Sequence, residues 1–206
     1  MKNNTLLLAS LISAVLALSA CGDSGSTGAD ITSAPVEPAT ASTTPAVAEP
    51  LRSPRGNIIK SVGEPGGNRL SEGSDEWAFN FTVTDIVVDP ACSGYYAAPS
   101  ENGHLVSISI EATTIQEPDF TEAMLNSVTF DPYSWKVIAP NGTTVNTITS
   151  GASTQCLTDS ERMPTMIGAA EKVSGKIVLD VPTPTGTLVY AHAGGVTGWE
   201  WEYGTK

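Results

Sequence analysis

Residues 76–89 read EWAFNFTVTDIVVD, and this stretch decides the fold class. Trp77, Phe79, Phe81 and Val83 recur at every second position, a period that gathers side chains on one face only when the backbone is extended. The phase then moves to Ile86 and Val88, which predicts a β-bulge near Thr84 and Asp85. HLVSISIEATTI (104–115) repeats the alternation, with Val106, Ile108, Ile110 and Ala112 inward and Ser107, Ser109 and Glu111 outward. YSWKVIAPNGTTVNTI (133–148) reads as a hairpin in which Tyr133, Trp135 and Val137 alternate and Pro140-Asn141-Gly142 turns the chain. In EKVSGKIVLDVP (171–182), Val173, Ile177, Leu179 and Val181 share a face, and Pro182, which has no ladder donor, ends the strand. TGTLVYAHA (185–193) and GWEWEY (198–203) predict two further short strands, and only FTEAMLNSV (120–128) has helical spacing, enough for a turn or two. The expected class is all-β, an antiparallel sandwich, with a closed barrel as the alternative architecture.

Outward toward the N-terminus the composition changes twice. Lys2 and the apolar, small-residue run Thr5 to Ala20 have the layout of a secretory signal peptide, and the run is short for a bilayer-spanning helix. Leu18-Ser19-Ala20-Cys21 resembles the lipobox of bacterial lipoproteins, in which the cysteine is lipidated and becomes the mature N-terminus. That resemblance implies a cleaved leader over residues 1–20, a lipid anchor on Cys21, and a location on the extracytoplasmic face of the cell membrane. Residues 21–54, including ITSAPVEPATASTTPAVAEP (31–50), are rich in Ser, Thr, Ala and Pro and lack aromatic residues. Such a segment has too little apolar surface to offset the entropy of ordering and is expected to be a disordered tether. Residues 55–206 then have the size of one domain.

With Cys21 assigned to lipid, Cys92 and Cys156 remain as a pair in a compartment where disulfides persist, and they are expected to bond to each other. The competing reading, metal or redox thiols, lacks a CxxC motif and a nearby histidine. Acidic residues outnumber basic ones 22 to 10, which argues against nucleic acid as a partner and against the domain lying on an anionic membrane surface.

GKIVLDVP (175–182), a short loop, LVY and a terminal aromatic strand, together with FNFTV (79–83) and SWKVIAPNGT (134–143), resemble an immunoglobulin-like domain. It is the domain of actinobacterial lipoproteins and of the secreted mycobacterial antigen family related in shape to telokin. The likeness covers about residues 57–203 and implies an immunoglobulin-like sandwich outside the membrane, without established catalytic residues. A Cys92 to Cys156 bridge departs from that pattern, because it joins two loops and not paired core strands.

Enzyme signatures are sparse: GxSxG, P-loop, HExxH and GxGxxG patterns are absent. His104 and His192 would have to supply any histidine base, and both read as ordinary structural residues. The acidic pairs Asp75-Glu76, Asp159 with Glu161, and Glu200 with Glu202 read as solvated strand ends and turns, with no calcium-loop spacing. Trp199, Trp201 and Tyr203 share one face of the last strand, with Glu200 and Glu202 on the other, and are expected to complete the core. Tyr95 and Tyr96, in the loop after Cys92, are the candidate partner-binding residues, because loops at a sandwich end are where such folds recognise partners. The sequence-level reading is a non-enzymatic, membrane-anchored binding module with an envelope or host partner and no metal or cofactor. The alternative is a small-molecule or metal carrier with a pocket between the sheets.

Overall fold

The computed structural model describes residues 49–123, 126–192 and 198–204. The leader, Cys21 and the tether up to residue 48 lie outside these described residues. The described strands are β1 (Ile58–Ile59), β2 (Pro65–Arg69), β3 (Trp77–Val88), β4 (His104–Thr114), β5 (Trp135–Ile138), β6 (Lys172–Val181), β7 (Gly186–Tyr190) and β8 (Trp199–Tyr203). Two short helices, α1 (Asp119–Glu122) and α2 (Gly151–Gln155), sit in the connections. One sheet has the order β1-β8-β7-β5 and the other β2-β3-β4-β6. All pairings are antiparallel except β1 with β8, where Ile58 lies opposite Trp199. Two open sheets make an immunoglobulin-like sandwich and not a closed barrel, with β4 inserted between β3 and β6.

The alternation that predicted the strands also fills the space between the sheets. Phe79, Phe81 and Val83 of β3, Val106, Ile108 and Ile110 of β4, and Leu179 and Val181 of β6 are buried against Leu188, Tyr190, Trp199, Trp201 and Tyr203 of the facing sheet. Phe81 is at the centre, with ring centroids 5.1 Å from Phe130 and Tyr190 and 5.2 Å from Trp199. The β3–β4 register shifts between Val83 and Asp85, where the sequence places the bulge, so Ile86 and Val88 return to the core side.

Several local expectations are corrected. Tyr133 does not begin the alternating strand: Asp131 caps a 3-10 turn at Pro132–Ser134 by accepting from the Tyr133 and Ser134 amides, and this leaves the Tyr133 side chain exposed. Trp77 is half-buried at the end of its row, with the Arg69 guanidinium 3.7 Å from the ring centroid. The helix is a single turn, α1, and Val128, expected to extend it, instead exchanges backbone hydrogen bonds with Ile167. Ser107 is buried, because α2 and its neighbours cover the outer face of β4.

Folded backbone begins within the stretch whose composition reads as tether. The Ser53 amide donates to the Asn57 carbonyl and the Ile59 amide to Leu51, so the chain doubles back through Gly56 at φ +83°. That turn delivers β1 to the edge of β8.

Candidate interaction surface

A lobe built on the outer face of β4 and β6 carries the candidate residues. Leu105 and Val178 project from the sheet away from the main core and are covered by Ala152, Cys156 and Leu157, with Cys92 at the margin. Full burial of such a side chain contributes about 2 kcal/mol, so this second cluster holds the lobe firmly. Cys92 and Cys156 are disulfide-bonded across a separation of 64 residues, as the cysteine count predicts. Ser150 caps α2 with its hydroxyl accepting from the Ser153 amide, while the Ser153 hydroxyl accepts from the Ser150 amide.

Asp180 ties the lobe to β6, and sequence reasoning missed it. Its buried carboxylate accepts from the Ser100 and Ser150 hydroxyls, both at 2.5 Å, and from the Glu101 and Asn102 amides at 2.9 and 3.1 Å. Desolvation works to raise this carboxyl, but the four donors outweigh it and hold it below the usual carboxylate range. The only sequence signal is an aspartate within an apolar strand, Val178-Leu179-Asp180-Val181, where a buried charge requires partners.

The Tyr95-Tyr96 loop is anchored on its stem and open at its tip. The Ser93 and Gly94 amides both donate to the Cys156 carbonyl, at 2.9 and 3.0 Å, and the Ala97 amide closes a turn onto Gly94. A Cβ on Gly94 would lie 1.9 Å from the Gln155 carbonyl oxygen, so glycine permits the close approach. The Ser93 hydroxyl donates to Glu161, which also accepts from the Thr158 amide and hydroxyl. These bonds, Ser93 first, lower the Glu161 carboxyl to about 2. At the tip, Tyr95 is 91% and Tyr96 72% exposed, and the rings meet edge to face with centroids 4.8 Å apart.

On its other side α2 borders a lateral cleft of about 290 Å³ with Phe130, Leu157, Met163 and Ile177 among its apolar lining and Arg162 and Lys176 among its polar groups. It opens beside β6, while the middle of the sandwich is occupied by aromatic rings.

His104 Nδ1 is 2.8 Å from Asp89, which also accepts from the Leu105 amide. His192 is buried 5.1 Å from the Phe79 ring, and burial pushes its pKa down. Trp199, Trp201 and Tyr203 are core residues. Asp75 and Glu76 are exposed, and Asp159 lies 3.3 Å from Arg162.

Glu200 is not a solvated strand residue. Arg55 donates to it through Nε and Nη2, both at 2.7 Å, and Asn57 Nδ2 at 2.7 Å, beneath the segment that leads into β1. Among the described residues no group of three or more His, Cys, Asp or Glu converges as a metal site, and no helix is long and apolar enough to cross a membrane.

No family model matches the chain, and no curated protein matches it. Among solved structures it is similar to the ycdA protein of Bacillus subtilis, a candidate lipoprotein, at 12% identity and a TM-score of 0.40, over 63% of this chain and 38% of that one. It is also similar to the yjhA protein of Bacillus subtilis at 14% identity and a TM-score of 0.41, over 68% of this chain and 97% of that one. The chain thus spans less than two fifths of the length of the ycdA protein.

Proposed function

We propose that this chain is a non-enzymatic binding module of the cell exterior, lipid-anchored through Cys21, that meets its partner through the Tyr95-Tyr96 loop. The observation that carries this reading is the exposure of two adjacent tyrosines on a stem held by the disulfide, the Cys156 carbonyl and the close Gly94 contact. Tyrosine supplies large contact area with little rotamer entropy to lose, and a pre-formed stem lowers the ordering cost of binding. The lipobox-like Leu18-Ser19-Ala20-Cys21 supports the anchor and the extracytoplasmic location. The pairing of His104 with Asp89 supports the non-enzymatic part of the reading.

The test compares adsorption of the full chain and its Tyr95→Ser/Tyr96→Ser variant to isolated cell-envelope fractions. A loss of about tenfold or more is expected, the scale of a contact hot spot, and equal adsorption of the two overturns the reading. The anchor is tested separately: the intact mass of membrane-extracted protein should begin at a diacylated Cys21, and Cys21→Ser should move the protein to the soluble fraction.

A second reading, a small-molecule carrier, is favoured by the lateral cleft beside β6. Native mass spectrometry of the purified protein should then show a bound mass that a Leu157→Trp substitution removes.

A further inference from the structure

Strand β6 is the last of its sheet, and the backbone groups on its side away from β4 are bridged by other segments at two places. The Lys176 amide donates to the Glu161 carbonyl at 2.8 Å, and the Lys176 carbonyl accepts from the Met163 amide at 3.0 Å. Two pleats further on, the Asp180 amide donates to the Ile148 carbonyl at 2.9 Å, and the Asp180 carbonyl accepts from Asn102 Nδ2 at 3.1 Å. In an antiparallel ladder the backbone groups of alternate residues turn to the same side, so Val178, midway between them and opposite Ser107, also directs its N–H and C=O away from β4. Among the described residues neither group has a hydrogen-bond partner. Val178 is only 4% exposed, and more than nine in ten buried backbone groups are paired, so an open N–H and C=O on one buried residue call for a partner.

Val178 also lines the lateral cleft, together with Phe130, Leu157, Met163 and Ile177. Pockets for drug-sized ligands hold about 300–1,000 Å³, so a volume of about 290 Å³ suits one apolar side chain with its backbone. At about 3.3 Å per residue the bridges at Lys176 and Asp180 stand about 7 Å to either side of Val178. They leave room for a single residue pair, and a long strand laid along β6 would meet residues 161–163 and 148. Resting on the reading of the cleft as a ligand site, and independent of the tyrosine loop, we propose that it takes the end of an extended peptide. One ligand residue exchanges backbone hydrogen bonds with the N–H and C=O of Val178, a short form of strand addition, and an apolar side chain of the ligand enters between Phe130, Leu157, Met163 and Ile177.

The experiment is a nuclear magnetic resonance titration of the isotope-labelled full chain, held in uncharged detergent. Its probes are acetyl-leucyl-leucine amide, the analogue with both leucine N–H groups replaced by ester oxygen, and 1-hexanol. Acetyl-leucyl-leucine amide should move the Val178 amide resonance to lower field and slow its hydrogen exchange. The ester analogue keeps the side chains and should bind roughly two- to tenfold more weakly, the loss of a backbone hydrogen bond. Leu157→Trp fills the cleft and should abolish binding. Thr154→Trp, at an exposed position that lines the same cleft, should weaken it without an effect on the melting temperature.

Equal affinity for the amide and the ester analogue overturns the inference, as does a Val178 amide that stays in place while other cleft resonances move. Peptide binding that ignores both tryptophan substitutions overturns it as well. If hexanol perturbs the cleft and the peptide does not, the carrier reading stands and only the ligand class fails. If none of the three probes perturbs the cleft, the carrier reading fails with the inference.

Discussion

Glu200→Gln probes the feature most at odds with a local reading of GWEWEY. The Glu200 side chain is 4% exposed and that of Arg55 41%. Its two oxygens receive three donors, Arg55 Nε and Nη2 and Asn57 Nδ2, each at 2.7 Å. Burial alone would raise this carboxyl, but the Arg55 and Asn57 donors outweigh it and hold it below the usual range. Glutamine keeps one acceptor oxygen but turns an amide donor toward the guanidinium. Breaking a fully buried pair costs about 3–5 kcal/mol, and a hydrogen bond to a charged group contributes about 1.5–3 kcal/mol. Because Arg55 is two fifths exposed and can regain water, the expected cost lies near the lower figures, about 2 kcal/mol.

For a domain of this size that corresponds to a fall in Tm of roughly 4–8 °C. A folded-state pKa below the unfolded value means that the stabilisation is present in full above the unfolded carboxyl pKa of about 4.3 and is lost as pH falls through the folded value. Near-ultraviolet circular dichroism melts of both proteins should therefore show a clear gap at neutral pH that closes on acidification. Equal stability at neutral pH, or a gap that persists unchanged in acid, refutes the reasoning.

Phe81→Ala removes the ring at the centre of the aromatic stack and should cost about 3–5 kcal/mol in urea unfolding, transfer and cavity contributions together. Replacing Cys92 and Cys156 by serine opens a loop closed across 64 residues and should lower stability by up to about 4 kcal/mol in the chain-entropy model, read as a lower urea midpoint. Asp180→Asn disturbs four donors at a buried site and should cost about 2–3 kcal/mol. Because the Asp180 carboxyl is held low in the folded state, that difference should also be present at neutral pH and fade in acid.

The strands that read most clearly from sequence are those whose two faces meet different environments. In β3 and β4 the inward rows Phe79, Phe81, Val83 and Val106, Ile108, Ile110 are buried as the period of two predicts, because alternation is a local consequence of the pleat. The bulge after Val83 was legible for the same reason. In contrast, α2 has five residues, too few to show helical periodicity, and its Ser150-Ser153 capping pair was the only local signal. Tyr133 misled because one residue of alternation looks alike whether it begins a strand or ends a turn. The Asp131 cap decides between them.

By itself the sequence determined the all-β class, the inward rows and the pairing of Cys92 with Cys156, and it singled out the Tyr95-Tyr96 loop. These depend on backbone period, on cysteine parity and on turn composition, all of which are short-range or countable. Tertiary structure alone decided that Glu200 and Asp180 are buried, that Ser107 lies beneath a lobe, and that the two tyrosines project from a stem held to the Cys156 carbonyl. Each of these depends on which distant segment covers a given face: residues 53–57 over Glu200, and residues 100–102 and 150 around Asp180. Alternation specifies which side of a strand a residue occupies, and only long-range packing specifies what stands on that side.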